Sequence, residues 1–168
     1  GPFSHLRPGS HIKNNCRIGN FVEIKNSLVG DKTKIAHLSY VGDATIGENV
    51  NIGCGVIFAN YDGKKKHHTE VGDNVFIGMD SVILKGTTIG NNVIIGTNSV
   101  VSGTIKDNSV YVGSPAKYIM SLEEFYQKRA RKQVDSAKQY AENYYKKFHI
   151  YHKKYLFFQQ VVFQIISL

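Results

Sequence analysis

Apolar residues recur along this chain with a period that is neither helical nor that of an ordinary alternating strand. From Ile12 an Ile or Val returns every six positions (Ile12, Ile18, Ile24); one five-residue step leads to Val29, Ile35 and Val41, and another to Ile46 and Ile52. After a break the beat resumes at Val71, Ile77, Ile83, Ile89, Ile95 and Val101. Gly follows nine of these fourteen positions. The fifth place of each unit is small or modest in size: Cys16, Val22, Thr33, Ser39, Thr45, Val50, Val56, Val75, Ser81, Thr87, Val93 and Ser99. This spacing predicts one short strand and one corner per unit, with the β-branched residue inward and Gly permitting the turn. Three units close a triangular coil of about eighteen residues, and stacked coils bond strand over strand as an all-β solenoid. A β-sandwich fits poorly, because its turns fall at irregular spacings of roughly 8–12 residues. The period alone leaves the hand of the coil open.

The break, residues 58–70 (FANYDGKKKHHTE), opens on strong turn chemistry at Asn60-Tyr61-Asp62-Gly63. A loop this long inside a tight repeat points to function. After the repeats the period changes. Ser121-Leu122-Glu123-Glu124 reads as a capping box. Leu122, Phe125, Tyr126, Val134, Ala137, Tyr140, Ala141, Tyr144, Tyr145 and Phe148 then follow helical spacing. The expected division is a prism over residues 1–117 and, over 118–168, a helix with an apolar tail.

Composition excludes several classes. With 42% hydrophobic and 20% charged residues the 168-residue chain has a globular composition. It has no apolar run long enough to span a membrane and no leader, and two cysteines cannot build a disulfide framework. Of the net charge of +8, +6 lies in residues 117–154. The prism is nearly neutral, which removes the nucleic-acid reading. The tail from Tyr155 to Leu168 is too short to span a bilayer; docking onto another subunit is its first reading and peripheral membrane contact its second.

The frame also aligns side chains. Asn20, His37 and Cys54 each stand two places after an inward Ile and form one column, spaced by the ~4.8 Å of adjacent strands. Arg7 and Lys25 each stand one place after an inward aliphatic (Leu6, Ile24) and form a cationic column at the same corner type. Tyr40 and Asn51 take the last slot of units on different faces. One coil thus gathers a histidine, two cations and two neutral hydrogen-bonders, a set suited to a phosphorylated, hydroxyl-rich ligand.

Tandem units of the form Ile-Gly-x-x-Val-x resemble the hexapeptide-repeat acyltransferases. The resemblance implies a left-handed parallel β-helix, a homotrimer, and active sites between neighbouring prisms. Within that group, GPFSHLRPGS, IGNFVEIK, AHLSYVGDATIGENVNIGCG and NYDGKKKHHT resemble the acetyltransferase domain of the bacterial bifunctional uridyltransferase/acetyltransferase family, over residues 1–83. What this implies is acetyl transfer from acetyl-CoA to the amine of glucosamine 1-phosphate in the cytoplasm. His37 becomes the general base, Cys54 the oxyanion donor through its backbone N–H, and Glu23 a weaker orienting group. Arg7, Lys25, Tyr40, Asn51 and Lys66 become the acceptor site, and Asn60, Tyr61, Met79 and Thr97 acetyl-CoA contacts alongside Cys54.

The chain also departs from that family. It begins without an initiator Met and without the uridyltransferase domain, so the resemblance implies a fragment or processed piece limited to acetyl transfer. Residues 84–120 resemble the closing coils of sugar O-acetyltransferases, ending Val112-Gly113-Ser114-Pro115-Ala116. Ser114 replaces a phosphate-binding arginine, and Lys117 is a weak substitute. An O-acetyltransferase of a cell-surface sugar and a catalytically idle trimeric module are the alternatives. A nucleophilic Cys54 and a zinc site among His5, His37, His67 and His68 are the minor rivals; no metal is expected.

Overall fold

The computed structural model describes residues 1–148. Strands of two to four residues stack into three parallel sheets, the faces of a triangular prism. The first face stacks His5–Leu6, Glu23–Lys25, Tyr40–Gly42, Ile57–Ala59, Val82–Leu84 and Val100–Val101. The second stacks His11–Ile12, Leu28–Val29, Ala44–Ile46, Thr69–Val71, Thr88–Ile89 and Thr104–Ile105. The third stacks Arg17–Asn20, Lys34–His37, Asn51–Ile52, Phe76–Ile77, Val93–Ile95 and Ser109–Val112. His5 pairs with Glu23, Lys34 with Asn51 and Thr88 with Thr104, so a coil takes 18, 17 or 16 residues, and 25 where the loop is inserted between Ile57 and Val82. The prism is a left-handed parallel β-helix.

Of the fourteen predicted inward residues all but Ile12 and Ile18 are buried, and those two close the open first coil. Leu6, also expected inward, is 51% exposed on the first rung of its face. Phe58 is buried at an inward place, so the repeat persists to Ala59 and the chain leaves the prism only at Asn60. The hydroxyls of the small buried row bond backbone carbonyls at the edges, as Thr33 Oγ1 does to Gly47 O at 2.9 Å and Ser99 Oγ to Gly96 O at 2.7 Å. Thr45 breaks that row. The five-residue step shortens its edge by one place, so Ala44 turns inward and Thr45 faces out to meet His68 Nε2 at 2.9 Å.

The corners work differently from the expectation for glycine. Positive φ falls two places later, on Asn15, Phe21, Lys32, Leu38, Asn49, Asn74, Asp80, Asn92, Asn98 and Asn108, between 47° and 59°. Asn and Asp tolerate that conformation better than other side-chain residues. Glycine answers a steric demand: a Cβ on Gly19 would lie 1.8 Å from the Ala36 carbonyl oxygen, and one on Gly78 2.5 Å from the Thr97 nitrogen. Along the edge between the second and third faces, Asn49, Asn74, Asn92 and Asn108 form an amide ladder with steps of 2.9, 3.2 and 3.0 Å.

The compact unit holding the prism extends to Glu123, past the expected boundary at 117. Lys117–Ser121 folds back antiparallel on Ser109–Val112 and covers the last rung of the third face. The helix Leu122–Phe148, most of it in a second unit, follows directly after Ser121. Leu122, Phe125, Val134, Ala137 and Ala141 of the expected stripe are at least half-buried, whereas Tyr126, Tyr140 and Tyr144 are exposed. Tyrosine is amphipathic and can sit outside an apolar stripe, so helical spacing alone overstates the apolar face. A Glu124–Lys128 pair at 2.8 Å and Arg129 over the Phe125 ring brace the first turns. No described helix is long and apolar enough to cross a membrane. The tail from Tyr155 to Leu168 and the side chains of Tyr145 and Phe148 lie outside the described residues.

Candidate active site

Two edges of the first face carry the predicted chemistry. At its leading edge, where the third face turns into the first, Asn20 pairs in register with His37. The next coil continues with Lys34 opposite Asn51 and Ile35 opposite Ile52, which sets Cys54 after His37. Hydrogen bonds from Asp80 N to Cys54 O and from Asn98 N to Met79 O carry the same column on through Met79 and Thr97. The expected three-residue column is therefore five residues long, and it joins the base candidate to the acetyl-CoA candidates. Cys54 N–H has no acceptor among the described residues, and neither have the N–H groups of Met79 and Thr97. The corner leaves each of these donors out of the ladder; Cys54 differs in standing one coil from His37.

At the trailing edge, where the first face turns into the second, Arg7 and Lys25 stack as predicted, with Leu6 opposite Ile24. Lys66 reaches them from the loop. The adjacent Lys66 amine, then desolvation, then the charges of Lys66 and Arg7 hold the Lys25 amine below the ordinary lysine pKa, with Asp43 acting in the opposite direction. Such crowding of cations is unfavourable without an anion. The cationic and histidine columns thus occupy opposite edges of one face, with Glu23 and Tyr40 paired in register between them. Glu23 accepts from Arg7 Nη1 at 2.9 Å. Within one chain that carboxylate holds the arginine, and no described hydrogen bond links it to His37.

The loop is ordered by its own side chains. Asp62 Oδ1 accepts the N–H groups of Lys64 and Lys65, both at 2.8 Å, and its other oxygen meets His67 Nε2 at 2.6 Å. These contacts, led by the Lys65 N–H, hold the Asp62 carboxyl well below the usual carboxylate range. Tyr61 pairs with Lys66 across the loop and its hydroxyl donates to Gly63 O at 2.7 Å. His67 is thereby engaged with Asp62, and the described residues contain no group of side chains able to hold a metal ion.

Sequence reasoning missed Asp43, which is 8% exposed. Its carboxylate accepts from Asn26 Nδ2 at 2.6 Å and from Asn60 Nδ2, and the Asn60 amide also reaches Tyr40 Oη at 3.3 Å. Gly42 makes room for this network: a Cβ there would lie 2.3 Å from Tyr40 Oη and 2.6 Å from Asn60 Nδ2. The signal was an Asp at the third place of a five-residue unit, where a polar side chain at positive φ needs a partner. Asn51 lies apart, on the third face opposite Lys34 and Phe76. Lys117 opens the antiparallel closing strand.

The bacterial transferase hexapeptide model, described as six repeats, matches residues 68–103. Among curated proteins the chain is similar to the bifunctional protein GlmU of Baumannia cicadellinicola, 55% identical over 112 residues, 67% of this chain and 24% of that protein. GlmU of Acetivibrio thermocellus is 64% identical over 80 residues, 48% of this chain and 17% of that protein. GlmU of Thermodesulfovibrio yellowstonii is 50% identical over 134 residues, 79% of this chain and 29% of that protein. The chain thus spans less than a third of the length of these relatives. The last match also carries the likeness beyond residue 83. Among solved structures, AntD, an N-acyltransferase from Bacillus cereus in complex with dTDP-4-amino-4,6-dideoxyglucose and coenzyme A, superposes with a TM-score of 0.66 at 22% identity, covering 77% of this chain and 86% of that one. PerB from Caulobacter crescentus, in complex with CoA and GDP-perosamine, superposes with a TM-score of 0.63 at 24% identity, covering 71% of this chain and 55% of that one. These two likenesses bear on the fold.

Proposed function

With residues 68–103 matching the bacterial transferase hexapeptide model, we propose that this chain is a hexapeptide-repeat transferase that moves acetyl from acetyl-CoA to the amine of glucosamine 1-phosphate. The observation that carries the proposal is the convergence of Arg7, Lys25 and Lys66 on the face whose leading edge begins at His37. Three cations with one depressed lysine suit a phosphate, which relieves their repulsion. Tyr40 supplies a neutral group for the sugar hydroxyls, and Asn51, which lies apart on the third face, would add one from a neighbouring copy.

In the reaction the amine nitrogen attacks the thioester carbonyl carbon while His37 takes the amine proton. A histidine serves because its unperturbed pKa lies near neutrality. The backbone N–H of Cys54 receives the negative charge that develops on the carbonyl oxygen. The carbon–sulfur bond then breaks, and the departing CoA sulfur recovers the proton from His37. Asn60, Tyr61, Met79 and Thr97 line the CoA arm along the leading edge and loop, and Lys117 is a weaker contact at its far end. The base mechanism requires no metal. A cytoplasmic location, where acetyl-CoA is available, belongs to the same proposal.

A homotrimer is part of this reading. Phe3, Phe21 and Leu38 adopt positive φ at 60°, 56° and 47°, and each is more than half exposed along the leading edge. Bulky side chains in that conformation cost about 1–2 kcal/mol each. A ridge of this kind beside His37 supports coverage by a second copy.

The test is thiol release from acetyl-CoA with glucosamine 1-phosphate, glucosamine and glucose 1-phosphate as acceptors. Turnover is expected with glucosamine 1-phosphate and at least tenfold less with either partial analogue. Turnover with unphosphorylated or amine-free sugars alone would refute the proposal, and none with any acceptor would favour the idle module.

A further inference from the structure

The loop leaves the prism at Asn60 and returns at Thr69, and both ends touch one buried residue. The Asn60 amide donates to Asp43 Oδ2. The Thr69 N–H donates to the Asp43 carbonyl oxygen at 3.0 Å. On the prism side Asp43 N–H donates to Lys25 O at 3.0 Å, and Asn26 Nδ2 donates to Oδ1 at 2.6 Å. We propose that Asp43 is a positioning residue: it clamps both ends of the loop to the strand that carries Lys25, and so sets Tyr61 toward the CoA arm and Lys66 beside the acceptor phosphate. The placement of those two residues in the site rests on the acetyltransferase reading; the clamp itself does not.

A carboxylate fits this place because two amide donors approach it and neither needs to be displaced. Asparagine at 43 keeps one acceptor oxygen for Asn60, while the exposed Asn26 side chain can rotate to meet the new NH2 group. Alanine removes both acceptors and leaves the buried Asn60 amide dependent on the longer contact with Tyr40 Oη. The first end of the loop would then lose its strongest side-chain tether, leaving the Asn60–Tyr40 and His68–Thr45 contacts and the backbone bonds to hold the loop to the prism.

Native-state trypsin digestion of the full chain, mapped by mass, reads the clamp without needing turnover. Lys64, Lys65 and Lys66 report the loop; Lys34 and Lys106 report the prism. Asp43→Ala is expected to speed loop cleavage at least tenfold with prism cleavage unchanged, and Asp43→Asn to stay within about threefold of wild type. Asn60→Ala breaks the same bond from the loop side and leaves the edge intact; its loop cleavage should rise at least fivefold, and it decides the matter should Asp43→Ala fail to fold. In the acetyl-transfer assay Asp43→Ala should raise KM for both substrates at least tenfold, with kcat within threefold. Unchanged loop cleavage in Asp43→Ala or Asn60→Ala overturns the proposal. So does cleavage rising equally at Lys34 and Lys106, which marks a merely structural residue. A wild-type chain without turnover refutes the acetyltransferase reading and leaves the protease result standing.

Discussion

At the trailing edge of the first face most polar side chains hold one another: Arg7 with Glu23, and Asp43 with Asn26 and Asn60, which reaches Tyr40. At the leading edge the side chains of Asn20, His37, Met79 and Thr97 are exposed, and the His37 ring has no hydrogen-bond partner among the described residues. A site built to bind gains from groups already ordered, because little entropy is lost when the ligand arrives. A base needs access and, at the moment of reaction, orientation. On the proposed acetyltransferase reading, recognition would belong to the trailing edge, and chemistry to the leading edge, which in the proposed homotrimer a second copy would cover.

The largest effect should come from the exposed edge. His37→Ala removes the proton acceptor and is expected to lower kcat by about 10²–10⁴. Its KM for glucosamine 1-phosphate should change less than threefold in steady-state assays, and an equal loss in both would erase the distinction between the edges. Lys25→Met removes one charged hydrogen bond to the phosphate, worth about 1.5–3 kcal/mol. Its KM should rise roughly 10–100-fold with kcat largely kept. The same charge sets a pH trend. The Lys25 pKa is lowered, so the amine loses its proton earlier on the alkaline side than a free lysine does. Phosphate affinity is greatest below that pKa and falls as pH rises through it, a trend that Lys25→Met should flatten in calorimetric titrations from neutral to alkaline pH.

Gly42→Ala tests how tightly the trailing edge is packed. Its new Cβ collides with Tyr40 and Asn60, and overpacking of this kind costs about 1–3 kcal/mol. A lower melting temperature together with a raised KM is expected; an unchanged protein would show that the network can give way. The smallest effect is expected at Cys54→Ala, which keeps the backbone N–H and should leave kcat/KM within twofold. Lost turnover there would revive the nucleophile reading.

Much of this contrast was legible in the residues themselves. The inward beat of Ile and Val fixed three faces, because a β-branched residue every six places has only one way to stay dry. The His37 and Lys25 columns followed from counting within that frame. The two columns were expected to share a corner; the register instead sets them at opposite edges, since one stands two places and the other one place after its inward residue, on successive faces. What the frame concealed depends on neighbours in the adjacent coil. Glycine's role is visible only when a Cβ on Gly19 is set against the Ala36 carbonyl. Thr45 faces out because a shortened edge moved Ala44 inward, and Phe58 extended the repeat under the guise of a loop residue. Asp43 escaped notice because an aspartate in a turn is ordinarily solvated; its burial depends on a loop that returns from nine residues away.

The account stands most directly on whether the two edges can be separated. Glucosamine 1-phosphate titrated by calorimetry into His37→Ala, with CoA present, measures recognition where chemistry has been removed. A dissociation constant within threefold of the wild-type value is the predicted result. Binding abolished by His37→Ala would contradict the account, because it would place recognition at the leading edge.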